Sequence, residues 1–319
     1  MAALPDQAQT GAPPVITMVI PAYGVGAMIG EALDSVYAQD FQAWDAIVID
    51  DGDPRVANHL APYLADPRIR FLQTDNGGPS TARNRGMALV TAPYIGLVDG
   101  DDILEPDFLS SMLAEIERSP TIGFATCDAT FFGADRHAEL FSSYCPQALP
   151  ASLERVITRQ FNVFSQTVMR RDAIMGIDGF DTNLISSEDF DAWIRLLEAG
   201  WELAYVPRPL VRYRRHRGQA SRNSGGMLRT ALTVTSRARA RLVGRPEEQA
   251  AAESCARIER DIAIDDAFQL LADGKTRLAL SAFDRLDPAA LTPRWRSALR
   301  VIRAAPFLAP LLLRLRRIV

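Results

Sequence analysis

Residues 94–108 limit the possible folds of this chain more than any other stretch. The apolar run at 94–98 predicts a buried strand, and three carboxylates follow it within four positions, Asp99, Asp101 and Asp102. A helix is predicted next, because apolar residues recur at helical spacing after Pro106. Acids at the carboxyl end of a strand lie where open α/β sheets bind ligands, and oxygen ligands suit Mg²⁺ or Mn²⁺. A solvated acidic turn is the alternative interpretation.

The same alternation of strand and helix recurs over residues 15–220. Apolar runs predict further strands at 15–20, 46–49, 69–72, 122–126 and 203–206. Helical patterns lie between most of them, and Ser80 is expected to cap a helix over 81–90. Residues 130–165 are irregular in pattern and could line a second binding site. The alternation predicts an α/β fold with a mostly parallel sheet flanked by helices.

Charge divides the chain of 319 residues into two regions. The net charge is −4, but residues 1–217 hold 17 Lys and Arg against 29 Asp and Glu, whereas residues 218–319 hold 18 against 10. We therefore expect a disordered lead-in at 1–14, an α/β domain at 15–220 and a helical C-terminal region at 226–319.

The last segment, residues 294–319, is basic and amphipathic. It contains seven Arg and no acid, with apolar residues between them. Such a segment can lie at an anionic membrane surface, so peripheral membrane contact is one expectation. The alternative is a helix that packs on the α/β domain or on another subunit.

The remaining composition favours a cytoplasmic protein. Cys127, Cys145 and Cys255 lie far apart, with no pattern of a disulfide framework or zinc site. No signal peptide and no apolar run of 18 residues are visible. We expect no nucleic-acid partner.

Two other motifs resemble nucleotide sites but have the wrong spacing or lack a required residue. Gly24, Gly26 and Gly30 nearly match the dinucleotide-binding fingerprint, but the last spacing is one residue too long. Residues 47–51 resemble the metal-binding strand of P-loop proteins, but the chain has no phosphate-binding loop with its Lys and Ser or Thr.

Six stretches taken together resemble family 2 inverting glycosyltransferases, which have the GT-A fold. They are Val15–Tyr23, Val48-Ile-Asp-Asp-Gly-Asp53, Gly78-Pro-Ser-Thr-Ala-Arg-Asn-Arg-Gly86, Leu97-Val-Asp-Gly-Asp-Asp102, Gly179-Phe-Asp181 with Glu188-Asp189, and Tyr213-Arg-Arg-His216. Their order and spacing agree with the family over roughly 15–220. One departure is Asp53-Pro54, where the family usually has Ser-Thr, which affects the expected shape of that loop.

The resemblance implies a nucleotide-binding role for several residues. It assigns a divalent metal, Mn²⁺ or Mg²⁺, to Asp101, and the ribose or a water-mediated metal contact to Asp99. It assigns the base edge to Asp51. It assigns the base-stacking wall to Pro21, Ala22 and Tyr23. It assigns a diphosphate or ribose contact to Arg83, and a diphosphate or metal contact to His216. Asn84 is expected to be structural. The alternatives are core packing for Tyr23, a surface position for Arg83 and a solvated basic loop for His216.

The resemblance also implies a catalytic base. The role falls to Asp189, beside Glu188 at the start of a helix, and Asp102 and Glu188 are expected to support the site or the acceptor. A structural alternative exists, because Ser186 and Asp189 match a capping box in which Asp189 would only bind backbone N–H groups.

The function implied by the resemblance is metal-dependent inverting transfer of a sugar from a nucleoside-diphosphate sugar. The acceptor would be a hydroxyl of a glycan or lipid-linked molecule in cell-surface polysaccharide synthesis. Two alternatives stay open, a nucleotidyltransferase and a non-catalytic protein that binds sugar nucleotides. The first would be expected to carry a basic glycine-rich loop near its first strand, and residues 24–30 contain no Arg or Lys.

Overall fold

The computed structural model of the chain describes residues 13–134, 137–216 and 224–313. The chain divides into two units, Met1–Arg222 and Asn223–Val319. Most of the predicted lead-in at 1–14 lies outside the described residues.

Within the described part of the first unit, eight strands form one sheet. In chain order they are β1 (Ile16–Ala22), β2 (Trp44–Asp50), β3 (Ile69–Gln73), β4 (Tyr94–Leu97), β5 (Ile103–Leu104), β6 (Ile122–Gly133), β7 (Thr167–Arg170) and β8 (Glu202–Arg215). Their spatial order is β3-β2-β1-β4-β7-β6-β8-β5. The first four are parallel, β7 is antiparallel to both its neighbours, β8 is parallel to β6, and β5 is antiparallel to β8. The predicted mostly parallel sheet is confirmed.

Helices cover both faces of this sheet. They are α1 (Met28–Tyr37), α2 (Arg55–Leu60), α3 (Gly78–Met87), α4 (Phe108–Ile116), α5 (Leu153–Ile157), α6 (Arg171–Gly176) and α7 (Glu188–Glu198). Alternate side chains of β1 point to opposite faces. Met18 and Ile20 join one large apolar core with α1 and α4. Val19 points to the other face, against α3.

Gly86 lets α3 lie close to the sheet. A Cβ atom at this position would lie 2.6 Å from the Ile49 side chain and 2.7 Å from that of Val19. On the same helix, Asn84 donates to the Phe180 carbonyl at 2.7 Å and accepts from the Phe180 N–H at 2.9 Å. Asn84 therefore fixes α3 against the segment before α7, which is the structural role expected for it.

The structure corrects three expected element boundaries. The strand expected at 122–126 continues to Gly133, because β8 pairs with it along this whole length. The strand expected at 203–206 continues to Arg215. Two prolines made a break plausible, and the sheet accommodates them with irregular register where β8 passes Cys127 and Asp128. The helix expected after Ser80 begins at Gly78 with Gly77 as its cap residue, and Ser80 lies buried inside its first turn. Pro79 favours this earlier start, since proline suits the first turn of a helix.

The second unit is helical where it is described. Its helices are α8 (Ser224–Arg241), α9 (Glu248–Ala272), α10 (Thr276–Asp284), α11 (Pro293–Ala304) and α12 (Ala309–Leu313). Its apolar core includes Phe268, Phe283, Leu299 and Ile302. Within the described ranges, no helix is both long enough and apolar enough to cross a bilayer.

Candidate functional site

The carboxyl ends of β1, β2 and β4 lie side by side at one edge of the sheet. The parallel register pairs Ala22 with Asp50 and Val19 with Leu97. Parallel strands present their carboxyl ends together, so the segments that follow, with Tyr23, Asp51 and Asp99, meet at this edge. The sequence predicted this edge as the ligand site.

Asp51 is buried and holds the start of α3. Its two carboxylate oxygens accept hydrogen bonds from the N–H groups of Gly77 and Gly78, each at 2.8 Å. Tyr23 beside it has 61% of its surface exposed, so the core-packing alternative for this ring is excluded. Pro21 and Ala22 form the end of β1, and Ala22 is fully buried.

Asp53, the departure from the family pattern, ties two loops together. Its Oδ2 accepts from the Gly24 N–H at 3.2 Å, and its carboxylate pairs with the Arg55 guanidinium at 2.8 Å. The bond from Arg55 lowers the pKa of Asp53 to about 2. Asp53 thus keeps a charge at neutral pH and closes the loop after β2 onto the loop after β1.

Asp99 and Asp102 are clamped by a residue that the sequence reasoning missed. The Gln166 side-chain amide donates to Asp102 Oδ2 at 2.5 Å and lies 3.2 Å from Asp99 Oδ2. Asp102 Oδ1 accepts from the Arg214 backbone N–H at 2.8 Å, and Asp102 is fully buried. Burial, followed by the charges of Asp101 and Asp99, raises the pKa of Asp102 well above its usual value. Asp102 therefore supports the cluster from beneath.

Asp101 and His216 come together across 115 residues of sequence. His216 Nε2 lies 2.8 Å from Asp101 Oδ2, and both side chains are partly exposed. The Arg214 guanidinium donates to the Asp101 carbonyl at 2.7 Å and also pairs with Glu31. Burial and the neighbouring Asp99 raise the pKa of Asp101, whereas His216 opposes this rise. The pair leaves a carboxylate and an imidazole side by side near the sheet edge.

The basic cluster around His216 divides into different roles. Arg214 binds the acidic loop as described, and both it and Arg212 lie over the Phe132 ring, at 4.4 and 4.8 Å from its centroid. The sequence places Arg212, Arg214, Arg215 and Arg217 around His216, a charge that would suit a diphosphate, and Arg217 lies outside the described residues.

Arg83 is buried and joins the strand ends to α7. One terminal nitrogen lies 2.9 Å from Asp99 Oδ1, and the other lies 2.5 Å from Glu188 Oε1. Burial disfavours its charge, but Asp99, Glu188 and Asp189 outweigh this and raise the pKa of the guanidinium. Its surface-residue alternative is excluded, because only 6% of Arg83 is exposed.

Asp189 lies in the first turn of α7 beside a small pocket. Its Oδ1 accepts from the N–H of the next residue, Phe190, at 2.7 Å. Burial, followed by the charge of Glu188, raises the pKa of Asp189 to about 6, with Arg83 and Arg159 acting in the opposite direction. The pocket has a volume of about 30 Å³, and Arg159, Asn162 and Trp193 line it together with Asp189.

The capping-box alternative for Asp189 does not match the geometry. The residue that precedes α7 is Ser187, in a left-handed conformation with φ of 57°, and its side chain makes no capping hydrogen bond. The Ser186 hydroxyl is buried and has no hydrogen-bond partner among the described residues. The helix therefore begins without the reciprocal bonds that a capping box requires.

The site therefore has two faces joined by Arg83. One face carries Asp101 with His216 at the strand ends, and the other carries Asp189 at its pocket. The face with Asp101 and His216 suits a cation, or an anion that binds through a cation. The second offers a carboxylate with a pKa close to neutral, which suits proton transfer.

Comparison with known proteins identifies a family for this arrangement. The model of glycosyl transferase family 2 matches residues 17–177. The succinoglycan biosynthesis protein ExoO of Rhizobium meliloti is 30% identical over 222 residues, which is 66% of this chain and 63% of ExoO. The chain spans less than two thirds of the length of the curated relatives it matches.

Solved structures show the same fold at low sequence identity. S. aureus TarS 1–349 in complex with UDP-GlcNAc is 16% identical, with a TM-score of 0.62 over 91% of this chain and 87% of that one. The mannosyltransferase PcManGT from Pyrobaculum calidifontis, in complex with GDP-Man and Mn²⁺, is 16% identical with a TM-score of 0.57, over 93% of this chain and 81% of that one. The expected GT-A fold is confirmed.

Proposed function

This chain belongs to glycosyl transferase family 2, and from that membership we propose that it moves a sugar from a nucleoside diphosphate to an acceptor hydroxyl, with inversion. The observation that carries the proposal is the pairing of two chemically different faces through Arg83. ExoO is named as a succinoglycan biosynthesis protein, which supports a glycan or lipid-linked acceptor in cell-surface polysaccharide synthesis.

The proposed reaction exchanges one C–O bond for another at the anomeric carbon and moves one proton. The acceptor oxygen attacks the anomeric carbon while its proton passes to the Asp189 carboxylate. The bond from that carbon to the diphosphate oxygen breaks, and the diphosphate leaves with the electron pair. A base positioned in this way typically contributes ~10²–10⁴-fold to the rate. Attack from the side opposite the leaving group accounts for inversion.

The residues at the strand ends fit a divalent metal with few protein ligands. Asp101 and His216 would hold it, because they lie side by side and are both partly exposed, whereas Asp102 is fully buried and Asp99 is paired with the buried Arg83. No group of three or more potential ligand side chains occurs in the described ranges. Mg²⁺ and similar ions suit such a site, since they retain waters and bind one or two carboxylates together with substrate phosphates. When bound, the metal would neutralise charge on the departing diphosphate.

The nucleotide would lie against β1 and β2. Tyr23 offers an exposed ring for stacking, and Asp51 lies next to it at the end of β2. A carboxylate can accept from N3–H of uracil or thymine or from N1–H of guanine, so we propose a UDP, dTDP or GDP donor, with UDP first. Arg83 would affect binding of the diphosphate or ribose indirectly, because it forms an ion pair with Asp99 and so fixes the position of that carboxylate.

Peripheral membrane contact is proposed for the basic tail, with cytoplasmic location. The Leu299 and Ile302 side of α11 packs into the core of its own unit, so this apolar side is not available to lipid. Arg294, Arg296 and Arg300 lie exposed on the same helix. Phe307 and Leu311, 80% and 59% exposed, follow it, so contact would combine Arg charges with these two side chains. Residues 314–319 of the tail lie outside the described residues.

Thermal-shift measurements with a panel of nucleotide sugars, with and without Mn²⁺ or Mg²⁺, test the function. Selective stabilisation by one donor identifies base and sugar, because a ligand that binds only the folded state raises its stability. The same samples are then assayed for released nucleoside diphosphate, and the product anomer is determined by NMR. Binding without nucleotide release would indicate a non-catalytic binder, and release of pyrophosphate would indicate a nucleotidyltransferase.

A further inference from the structure

Arg159 lies in the wall of the Asp189 pocket in an unusual backbone conformation. It follows α5 and has φ of 58°, in the left-handed region that residues with a side chain rarely adopt. Two hydrogen bonds hold it there. Its N–H donates to the Val156 carbonyl at 3.1 Å, and its own carbonyl accepts from the Asn162 side chain at 3.0 Å. Strain of this kind is retained where the surrounding structure fixes it, and it clusters at functional sites.

The side chain of Arg159 is placed over the residue that follows Asp189. Its guanidinium carbon lies 3.7 Å from the centroid of the Phe190 ring, a close cation–π contact. Phe190 is 5% exposed and lines the same pocket. Because Phe190 also donates its N–H to the Asp189 carboxylate, Arg159 and Asp189 are fixed to opposite ends of one residue.

Three charged groups act on Asp189 from the elements around it. Glu188 precedes it on α7 and disfavours its ionised form. Arg83 on α3 favours that form, but it also binds Asp99 and Glu188. Arg159 favours the ionised form as well, from the wall of the pocket. A base must be ionised to accept a proton. Burial and Glu188 lower the ionised fraction of Asp189 at a given pH, and the two arginines raise it.

We propose that Arg159 is a positioning residue, which holds Asp189 in the pocket as the proton acceptor of the transfer reaction. The proposal rests on the proposed function of Asp189. The pocket has a volume of only about 30 Å³, so it leaves little room for water between its walls. The attraction between Arg159 and Asp189, which line it together, is therefore weakly screened.

The test compares Arg159→Gln and Arg159→Lys with wild type. Arg155→Gln is the matched control, because Arg155 lies on α5 and binds the Pro150 carbonyl instead of lining the pocket. The first readout needs no substrate. Titration of the Asp189 carboxyl carbon by NMR, assigned by its absence in Asp189→Asn, should move upward by about 1 pH unit in Arg159→Gln. Arg159→Lys should show a smaller shift, since the charge stays and the planar stacking is lost. Arg155→Gln should leave the titration unchanged.

The second readout is the pH dependence of turnover, with UDP-GlcNAc and GDP-mannose as donors and release of nucleoside diphosphate as the signal. Arg159→Gln should move the acidic limb of kcat upward by the same interval, so activity falls about fivefold at pH 6, approaches a roughly tenfold loss at lower pH and recovers at pH 9. Equal loss at every pH, with an unshifted NMR titration, would mean that Arg159 only supports the loop and would overturn the proposal. Absence of turnover in wild type would count against the proposed function alone, because the NMR titration decides the role of Arg159 independently.

Discussion

Replacing Asp189 with Asn separates a catalytic role from a purely structural one, in which Asp189 only accepts the Phe190 N–H, because the two predict different changes. Asn has nearly the same size and can still accept from the Phe190 N–H, but it cannot take a proton. As the base, Asp189 should be required for turnover, so kcat should fall at least ~10²-fold while donor affinity stays close to wild type.

The raised pKa of Asp189 also predicts the sign of a stability change. The folded-state pKa is about 6 and the ordinary value is 3.8. The stability associated with this group is therefore complete below pH 3.8 and is lost as the pH rises through 6, because the folded state disfavours the charged form. At 1.36 kcal/mol per pH unit, the loss approaches about 3 kcal/mol, and about 2 kcal/mol of it falls between pH 4 and pH 7. Asn does not titrate, so Asp189→Asn should gain that amount relative to wild type.

Thermal unfolding at pH 4 and pH 7 measures this change. For a unit of this size, about 2 kcal/mol corresponds to roughly 4–8 °C, so the melting temperature of the variant minus that of wild type should rise by this amount between the two pH values. Glu154→Gln, at an exposed position of α5, controls for loss of a carboxylate elsewhere. A variant that is destabilised equally at both pH values and keeps more than a tenth of wild-type kcat would refute the reasoning. Glu188 would then be the next residue to test.

Three further predictions concern the proposed metal ligand Asp101, the recognition of the nucleotide base by Asp51 and the basic C-terminal tail. Asp101→Ala should abolish turnover and the metal-dependent part of donor binding while circular dichroism remains native, and transfer at the wild-type rate in chelator would contradict this. Asp51→Asn should weaken discrimination between nucleotides in thermal-shift titrations, and tighter binding of ADP than of UDP, dTDP and GDP by wild type would exclude Asp51 as a base reader. Full-length protein should co-sediment with anionic vesicles at low salt, each Arg contributing ~1 kcal/mol, whereas failure to bind would assign the tail to packing within the protein.

The sequence predicted those parts of the fold that depend on short local patterns of residues. The strands before Asp51 and Asp99 follow from short apolar runs, and the position of their acids follows from the parallel order. The start of α3 was misplaced because a Ser before a helical pattern is a general capping signal, whereas Gly77 and Pro79 decided the local geometry.

The site residues that sequence reasoning missed owe their roles to contacts across long distances in the chain. Gln166 clamps Asp99 and Asp102 from 67 and 64 residues away. A glutamine before a short strand has no periodicity or motif that marks it, and the same holds for Arg159 after α5. His216 could be expected beside the acidic loop only through the family resemblance. The prolines in β8 suggested that the strand would end before His216, whereas β8 continues past them with an irregular register and brings His216 to the loop.

Arg83 shows why the two faces of the site must be considered as one electrostatic unit. Its guanidinium is nearly buried and bonds to Asp99 at the strand ends and to Glu188 on α7, 16 and 105 residues away in sequence. Removal of one partner from a buried ion pair leaves an uncompensated charge, which costs several kcal/mol. Loss of the Arg83 charge would thus remove the positive charge that Asp99, Glu188 and Asp189 share. The pKa of Asp189 would then rise further, because Arg83 is the largest influence that lowers it. The protonation of Asp189 is therefore tied, through one side chain, to the carboxylates that face the proposed donor.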